Sequence, residues 1–270
     1  MIGKINKYSS LVQKDYEYIE FILRHGVVTA KQIMLKFLEP SIHRVYRRLQ
    51  KLQTRGYVKN ERLTKNLGVY YSTVDARNEL EMNVTVPSNI SMYTVQHDLL
   101  LTDLVLYFGL TSEKNGLQFR YQSERELRFE VAGKGVQPAD KLKAVNQNRD
   151  RIPDAVFYIQ RPDGESTEQR IWVELEMSIK DKKRYTEKFT LFDSLLSAGQ
   201  YQQIYYFAGS LKIKNALNAA REPLINAKRV HVRDVPEDIL QERWEKVLPP
   251  VGEQPEDVEE SNGGTGTAEP

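Results

Sequence analysis

Apolar positions near the start of this chain recur at helical spacing. From residue 13 to 25, Tyr16, Ile19, Ile22 and Leu23 follow that spacing until Gly26 stops the run. Thr29 then caps a short helix over 30–38, and Ser41 caps a third over 42–56, in which Val45, Leu49 and Leu52 share one face. Two short β-patterned stretches, 57–63 and 69–74, flank the turn Lys65-Asn66-Leu67-Gly68. Three helices and a hairpin in that order predict a winged helix-turn-helix over residues 1–80.

Residues 81–92, which contain Pro87, Ser88 and Asn89, read as a linker. A strongly apolar helix follows over 94–110, stopped at Gly109. Strands are expected over 117–122 and 126–131, then a basic loop over 133–151 carrying Lys134, Lys141, Lys143, Arg149 and Arg151. Further strands over 155–160 and 171–177, a helix over 183–196, a strand over 204–209, a helix over 211–225, a strand over 228–235 and a helix over 238–248 complete the pattern. The fold class is therefore α+β with two domains, the second an α/β unit over 93–248 with a mixed central sheet.

Composition narrows the function classes. The chain of 270 residues has no cysteine, which excludes disulfides and thiolate metal sites and fits a reducing cytoplasm. No apolar run reaches membrane-spanning length, and the first residues lack a signal-peptide core, so a cytoplasmic protein without membrane contact is expected. A net charge of +2 hides an asymmetry: residues 1–77 carry 15 Lys and Arg against 6 Asp and Glu, whereas residues 249–270 carry six acids and no base. The basic excess is the footprint of a polyanion-binding module, and the acidic end reads as a disordered tail. On the third helix, Arg44, Arg47, Arg48 and Lys51 lie largely off the apolar face and are the expected contacts to double-stranded DNA, with Lys65 at the hairpin tip.

The candidate chemistry lies between Arg151 and Lys188. There RIPDAVFYI and RIWVELEMS form two apolar strands bearing Asp154 on the first and Glu174 and Glu176 on the second. Side chains two apart on a strand share a face, so Glu174 and Glu176 point the same way and strand pairing brings Asp154 beside them. Three converging carboxylates call for a divalent cation, Mg²⁺ or Mn²⁺, or a lysine, to offset their repulsion. Lys180, Lys182, Lys183 and Lys188 follow within one helix's reach. Tyr185 nearby reads as a ring covering the sheet, and His97, Asp98 and Asp103 on the apolar helix read as capping and surface groups.

Pro153-Asp154 followed by Glu174-Leu175-Glu176 resembles the PD-(D/E)xK restriction-endonuclease-like nucleases, with Glu176 where that pattern has lysine. The basic N-terminal module, VQHDLLLTDL and a following helix with lysine extend the resemblance to the replication-relaxation and MobC-type mobilisation relaxases. The resemblance covers roughly residues 13–235. It implies metal-dependent nicking or relaxation of DNA at a plasmid or mobile-element origin, with mobilisation or replication proteins as partners and a homodimer left open. Asp154, Glu174 and Glu176 would be the metal ligands, with Lys188 as the catalytic lysine. No phosphate-binding GxxxxGK[ST] loop occurs, and His25, His43, His97 and His231 are scattered without the spacing of a paired metal site. The reading of another class is a winged-helix DNA-binding regulator whose nuclease-like domain is inactive.

Overall fold

The structure, a computed structural model, describes residues 11–63, 68–87, 90–132, 149–162 and 167–234. Lys65, Lys134, Lys141, Lys143, the helix expected over 238–248 and the acidic tail over 249–270 lie outside the described residues.

Three helices open the chain: α1 (Gln13–His25), α2 (Ala30–Lys36) and α3 (Ile42–Thr54). α2 starts where the sequence places it, because the Gln32 N–H donates to Thr29 Oγ1 at 3.1 Å and the Thr29 N–H donates to Gln32 Oε1 at 2.9 Å. Two donors that the helix end would leave unpaired are thus satisfied reciprocally. Val45, Leu49 and Leu52 are fully buried in the core shared with α1, each burial contributing about 1.5–3 kcal/mol. β1 (Val58–Arg62) and β2 (Gly68–Ser72) pair antiparallel. The second strand ends earlier than its pattern suggests, because Thr73 caps a short helix, α4 (Val74–Glu79), by accepting the Ala76 N–H.

α5 (Met92–Lys114) begins inside the span expected as linker and runs past Gly109. Gly109 does not stop it; a Cβ there would meet Phe119 Cδ1 at 3.4 Å, so the glycine lets the following strand lie close. α5 is apolar on two sides because it serves two cores, with Leu106 in the N-terminal one and Leu104 and Val105 under the sheet.

The sheet has five strands in the order β3 (Gln118–Ser123), β4 (Ala155–Gln160), β5 (Gln169–Glu176), β6 (Gln203–Ala208) and β7 (Val230–Asp234). Its first three strands are antiparallel and its last three parallel, so the sheet is mixed, as expected. α5 covers one face through Phe157, Val173 and Phe207. α7 (Lys182–Ser197) and α8 (Leu211–Arg221) cover the other through Trp172, Tyr206 and Ile204. The strand expected over 126–131 is instead part of a helix, α6 (Glu124–Ala132). Leu127, Phe129 and Val131 alternate like a strand, but Ser123 and Glu126 form a reciprocal cap: the Ser123 N–H donates to Glu126 Oε2 at 2.8 Å, and the Glu126 N–H donates to Ser123 Oγ at 3.4 Å.

The N-terminal helices dock on α5 and β3 through buried polar contacts. Thr102 Oγ1 gives its hydrogen to Asp98 O at 2.8 Å, so it accepts from His25 Nδ1 at 3.1 Å, and His25 Nε2 accepts from Tyr121 OH at 2.8 Å. That assignment needs a neutral imidazole, and burial pushes the His25 pKa down to about 3. Gln32 Nε2 donates to Leu99 O at 2.9 Å and to Asp103 Oδ1 at 2.7 Å.

Burial pushes the Asp103 carboxyl from 3.8 up to about 7, against the Gln32 bond, which favours its charged form. The folded chain therefore holds a proton there that the unfolded chain has lost between those two values. Stability from this group is full below 3.8 and falls as pH rises to about 7. Asp103→Asn keeps the acceptor for Gln32 and removes the charge. Its thermal midpoint should gain on that of the wild type steadily between those pH values and hold the gain above them. A constant difference across the range would contradict the assignment.

Candidate functional site

The register of β4 and β5 makes the site. Ala155 pairs with Val173 and Val156 with Trp172, so one further step sets Asp154 opposite Glu174 on the face covered by α7. The backbone fixes the pair in place: the Leu175 N–H donates to Asp154 Oδ2 at 2.7 Å. Across β6, Tyr206 pairs with Glu174 and packs its ring into the same core.

α7 supplies the cation. Lys188 Nζ lies 2.7 Å from Glu174 Oε1 and donates to Asp150 O at 2.9 Å, above the Trp172 ring at 5.0 Å from its centre. Trp172 Nε1 donates to the same Glu174 oxygen at 2.6 Å. α5 supplies a second positive group, on a residue whose position in the sequence suggests only a capping or surface role. His97 Nε2 lies 3.4 Å from Asp154 Oδ2, and its Nδ1 lies 3.6 Å from Asp98 Oδ1. No local signal marks His97, since its partner is 57 residues away in sequence.

The electrostatics follow from burial and these partners. Burial, and then the Asp154 carboxylate, raise the Glu174 carboxyl to about 7 although Lys188 and Trp172 favour its charge. Burial would raise Asp154 too, but the His97 bond and charge, with the Leu175 N–H, hold it below its ordinary value. Burial would lower His97; Asp154 and Asp98 instead lift it to about 11. Asp154 thus keeps the negative charge and Glu174 takes the first proton of the pair. Burial and Asp154 also raise Glu124, which pairs with Arg128 at the start of α6.

The third expected ligand does not join the pair. Glu176 lies 3.3 Å from Lys180 Nζ, accepts the Ser178 N–H at 3.3 Å, and takes the Tyr206 hydroxyl at 3.5 Å. Among the described residues no group of three or more His, Asp or Glu is placed to hold one ion. The donor set that fits a cation is therefore two carboxylates. Asp154 spends Oδ2 and Glu174 spends Oε1 on protein donors, while Oδ1 and Oε2 accept no hydrogen bond among the described residues. Protein carboxylates commonly hold Mg²⁺ one or two at a time beside substrate phosphate.

Of the four candidate lysines, Lys188 alone reaches the pair. Lys180 is on Glu176, Lys183 lies 3.9 Å from Glu187, and Lys182 is exposed. Tyr185 is buried, and its hydroxyl accepts the Lys180 N–H at 3.0 Å, which is a covering role.

The basic helix divides in two. Arg48 and Lys51 turn inward, each 2.5 Å from a carboxylate oxygen of fully buried Asp15 on α1. Burial would raise Asp15, yet Lys51, the Val12 N–H and Arg48 hold it low. These two bases have a structural task that sequence reading missed, because Asp15 lies more than thirty residues away. Arg44 and Arg47, with His43 and Tyr46, are exposed on α3.

Comparison with known proteins adds little. No family model matches this chain, and no curated protein does. Among solved structures, the crystal structure of a complex of the pre-specific restriction endonuclease BsaWI with DNA is similar at 11% identity, over 76% of this chain and 75% of that one, with a TM-score of 0.31. A superposition that loose carries no argument about fold or activity. Among the described residues, no helix is long and apolar enough to cross a membrane.

The division of α3 is testable by stability. Arg48→Ala should destabilise the chain by about 1–2 kcal/mol, because it strips a charged donor from buried Asp15 while Arg48 itself is partly screened by water. Arg44→Ala and Arg47→Ala should leave the denaturation midpoint within about 0.5 kcal/mol of wild type. Equal losses in all three would contradict the division.

Proposed function

We propose that this chain is a DNA-binding, divalent-cation-dependent phosphodiesterase that nicks duplex DNA, with Asp154 and Glu174 as the cation ligands and Lys188 as the catalytic lysine. The observation that carries the reading is the Asp154–Glu174–Lys188 constellation, in which a lysine from α7 caps a buried carboxylate pair at one end of β4 and β5. The chemistry a cation supplies at such a pair is Lewis-acid polarisation of a phosphoryl oxygen. The chain's own residues do the rest. Leu175 N–H and Trp172 Nε1 fix the two carboxylates. Lys188 sits where it offsets negative charge developing on a phosphate.

In this reading residues 1–80 act as a winged-helix domain and 93–248 as the nuclease-like domain. α3 presents Arg44 and Arg47, with Tyr46, to DNA, and the β1–β2 hairpin forms the wing. A role in plasmid or mobile-element mobilisation or replication rests on the residue pattern alone. One observation favours the second reading, a DNA-binding regulator with an inactive nuclease-like unit: His97 and Lys188 already balance Asp154 and Glu174 with no added ion.

Supercoiled plasmid separates the two readings. Open circles should form with Mg²⁺ or Mn²⁺ and not with EDTA, and Glu174→Gln should lose at least about 100-fold in rate. Binding without nicking in either metal would select the regulator. Replacing both Arg44 and Arg47 with Ala should weaken duplex binding and reduce the slope of log affinity against log salt by about 2, one released counterion per phosphate contact. An unchanged slope would remove α3 from the DNA interface.

A further inference from the structure

We infer that His97 is a positioning residue for the cation site, holding Asp154 by Oδ2 and so leaving Oδ1 to a ligand; this rests on the phosphodiesterase reading above. His97 Nε2 and the Leu175 N–H both approach Asp154 Oδ2, at 3.4 Å and 2.7 Å. Two donors converging on one oxygen, one from α5 and one from β5, fix the rotation of the carboxylate. The oxygen they leave is the one available to a ligand.

The ring is held as firmly as it holds. Its other nitrogen faces Asp98 Oδ1 at 3.6 Å, and Asp98 Oδ2 is 3.3 Å from Arg125 Nη2. Arg125 Nη1 donates to Thr85 O at 3.2 Å, and the guanidinium lies against Gly26 at the end of α1. Gly26 has φ +78°, a conformation that favours glycine, and a Cβ there would come within 2.1 Å of Arg125 Nε and displace the guanidinium. Gly26, Arg125, Asp98, His97 and Asp154 thus form one line of contacts from the N-terminal helices to the carboxylate pair. With a carboxylate within ion-pair distance of each ring nitrogen, His97 cannot swing away from Asp154 without also leaving Asp98. Partners that orient ligating side chains in this way matter as much to a metal site as its ligands do.

The test is calorimetric titration of the full chain with Mn²⁺ alone, without DNA, alongside thermal midpoints, for wild type, His97→Ala and His97→Gln. His97→Ala should lose about 10- to 100-fold in Mn²⁺ affinity, the usual effect of removing an orienting partner. His97→Gln keeps an N–H donor of similar reach and should recover most of that loss. Affinity in His97→Ala equal to or tighter than wild type overturns the inference while leaving the cation site standing. Equal losses in both variants, tracking equal falls in thermal midpoint, assign His97 to the fold alone and overturn it too. No Mn²⁺ binding by wild type removes the parent reading and the role of His97 with it.

Discussion

Lys188 reaching from α7 to Glu174 is the contact around which this end of the sheet is organised. The β4–β5 register places two carboxylates side by side under a helix, where desolvation and mutual repulsion both oppose their charge. Aliphatic residues there would cost nothing in desolvation, so the pair stands against a stability cost. Lys188 on one carboxylate and His97 on the other make it tolerable, and Trp172 and the Leu175 N–H use the remaining inner lone pairs. What the pair leaves open is one oxygen on each side, and the proposed chemistry is built on those two.

The second constraint is α5. Because one helix packs into both the N-terminal core and the sheet, the two halves of the chain are joined by buried contacts, His25 to Thr102 and Tyr121, and Gln32 to Asp103. A buried neutral histidine with both nitrogens bonded tolerates little displacement. The exposed bases of α3 and the carboxylate pair therefore sit on parts that are packed together, which gives the proposed DNA contact a physical route to the site.

Local patterns in the sequence were enough for most elements. The Val45, Leu49 and Leu52 stripe, the Thr29 cap, the strand after Asp154 and the strand carrying Glu174 all follow from spacing within a few residues. Misreadings arose where a second contact overrode the pattern. Leu127, Phe129 and Val131 alternate as in a strand, but the Ser123–Glu126 cap turns them into a helix; that signal was present in Ser-x-x-Glu spacing. Gly109 looked like a helix stop and is a point of close packing against Phe119. Arg48 and Lys51 read as solvent-facing bases, because Asp15, which holds them, is remote in sequence. At the site, Asp154, Glu174 and Lys188 were legible, whereas His97 was not, and Glu176 shares a strand face with Glu174 but turns to Lys180 and Ser178. Face sharing fixes the direction of a Cβ and leaves the carboxylate free to choose its partner.

The central claim is that Asp154 and Glu174 together hold a cation, and anomalous diffraction from crystals equilibrated with Mn²⁺ tests it most directly. The account predicts one anomalous peak beside the carboxylates of Asp154 and Glu174, with Lys188 still paired to Glu174. Crystals with no peak at the pair, or with manganese bound only elsewhere, would contradict it.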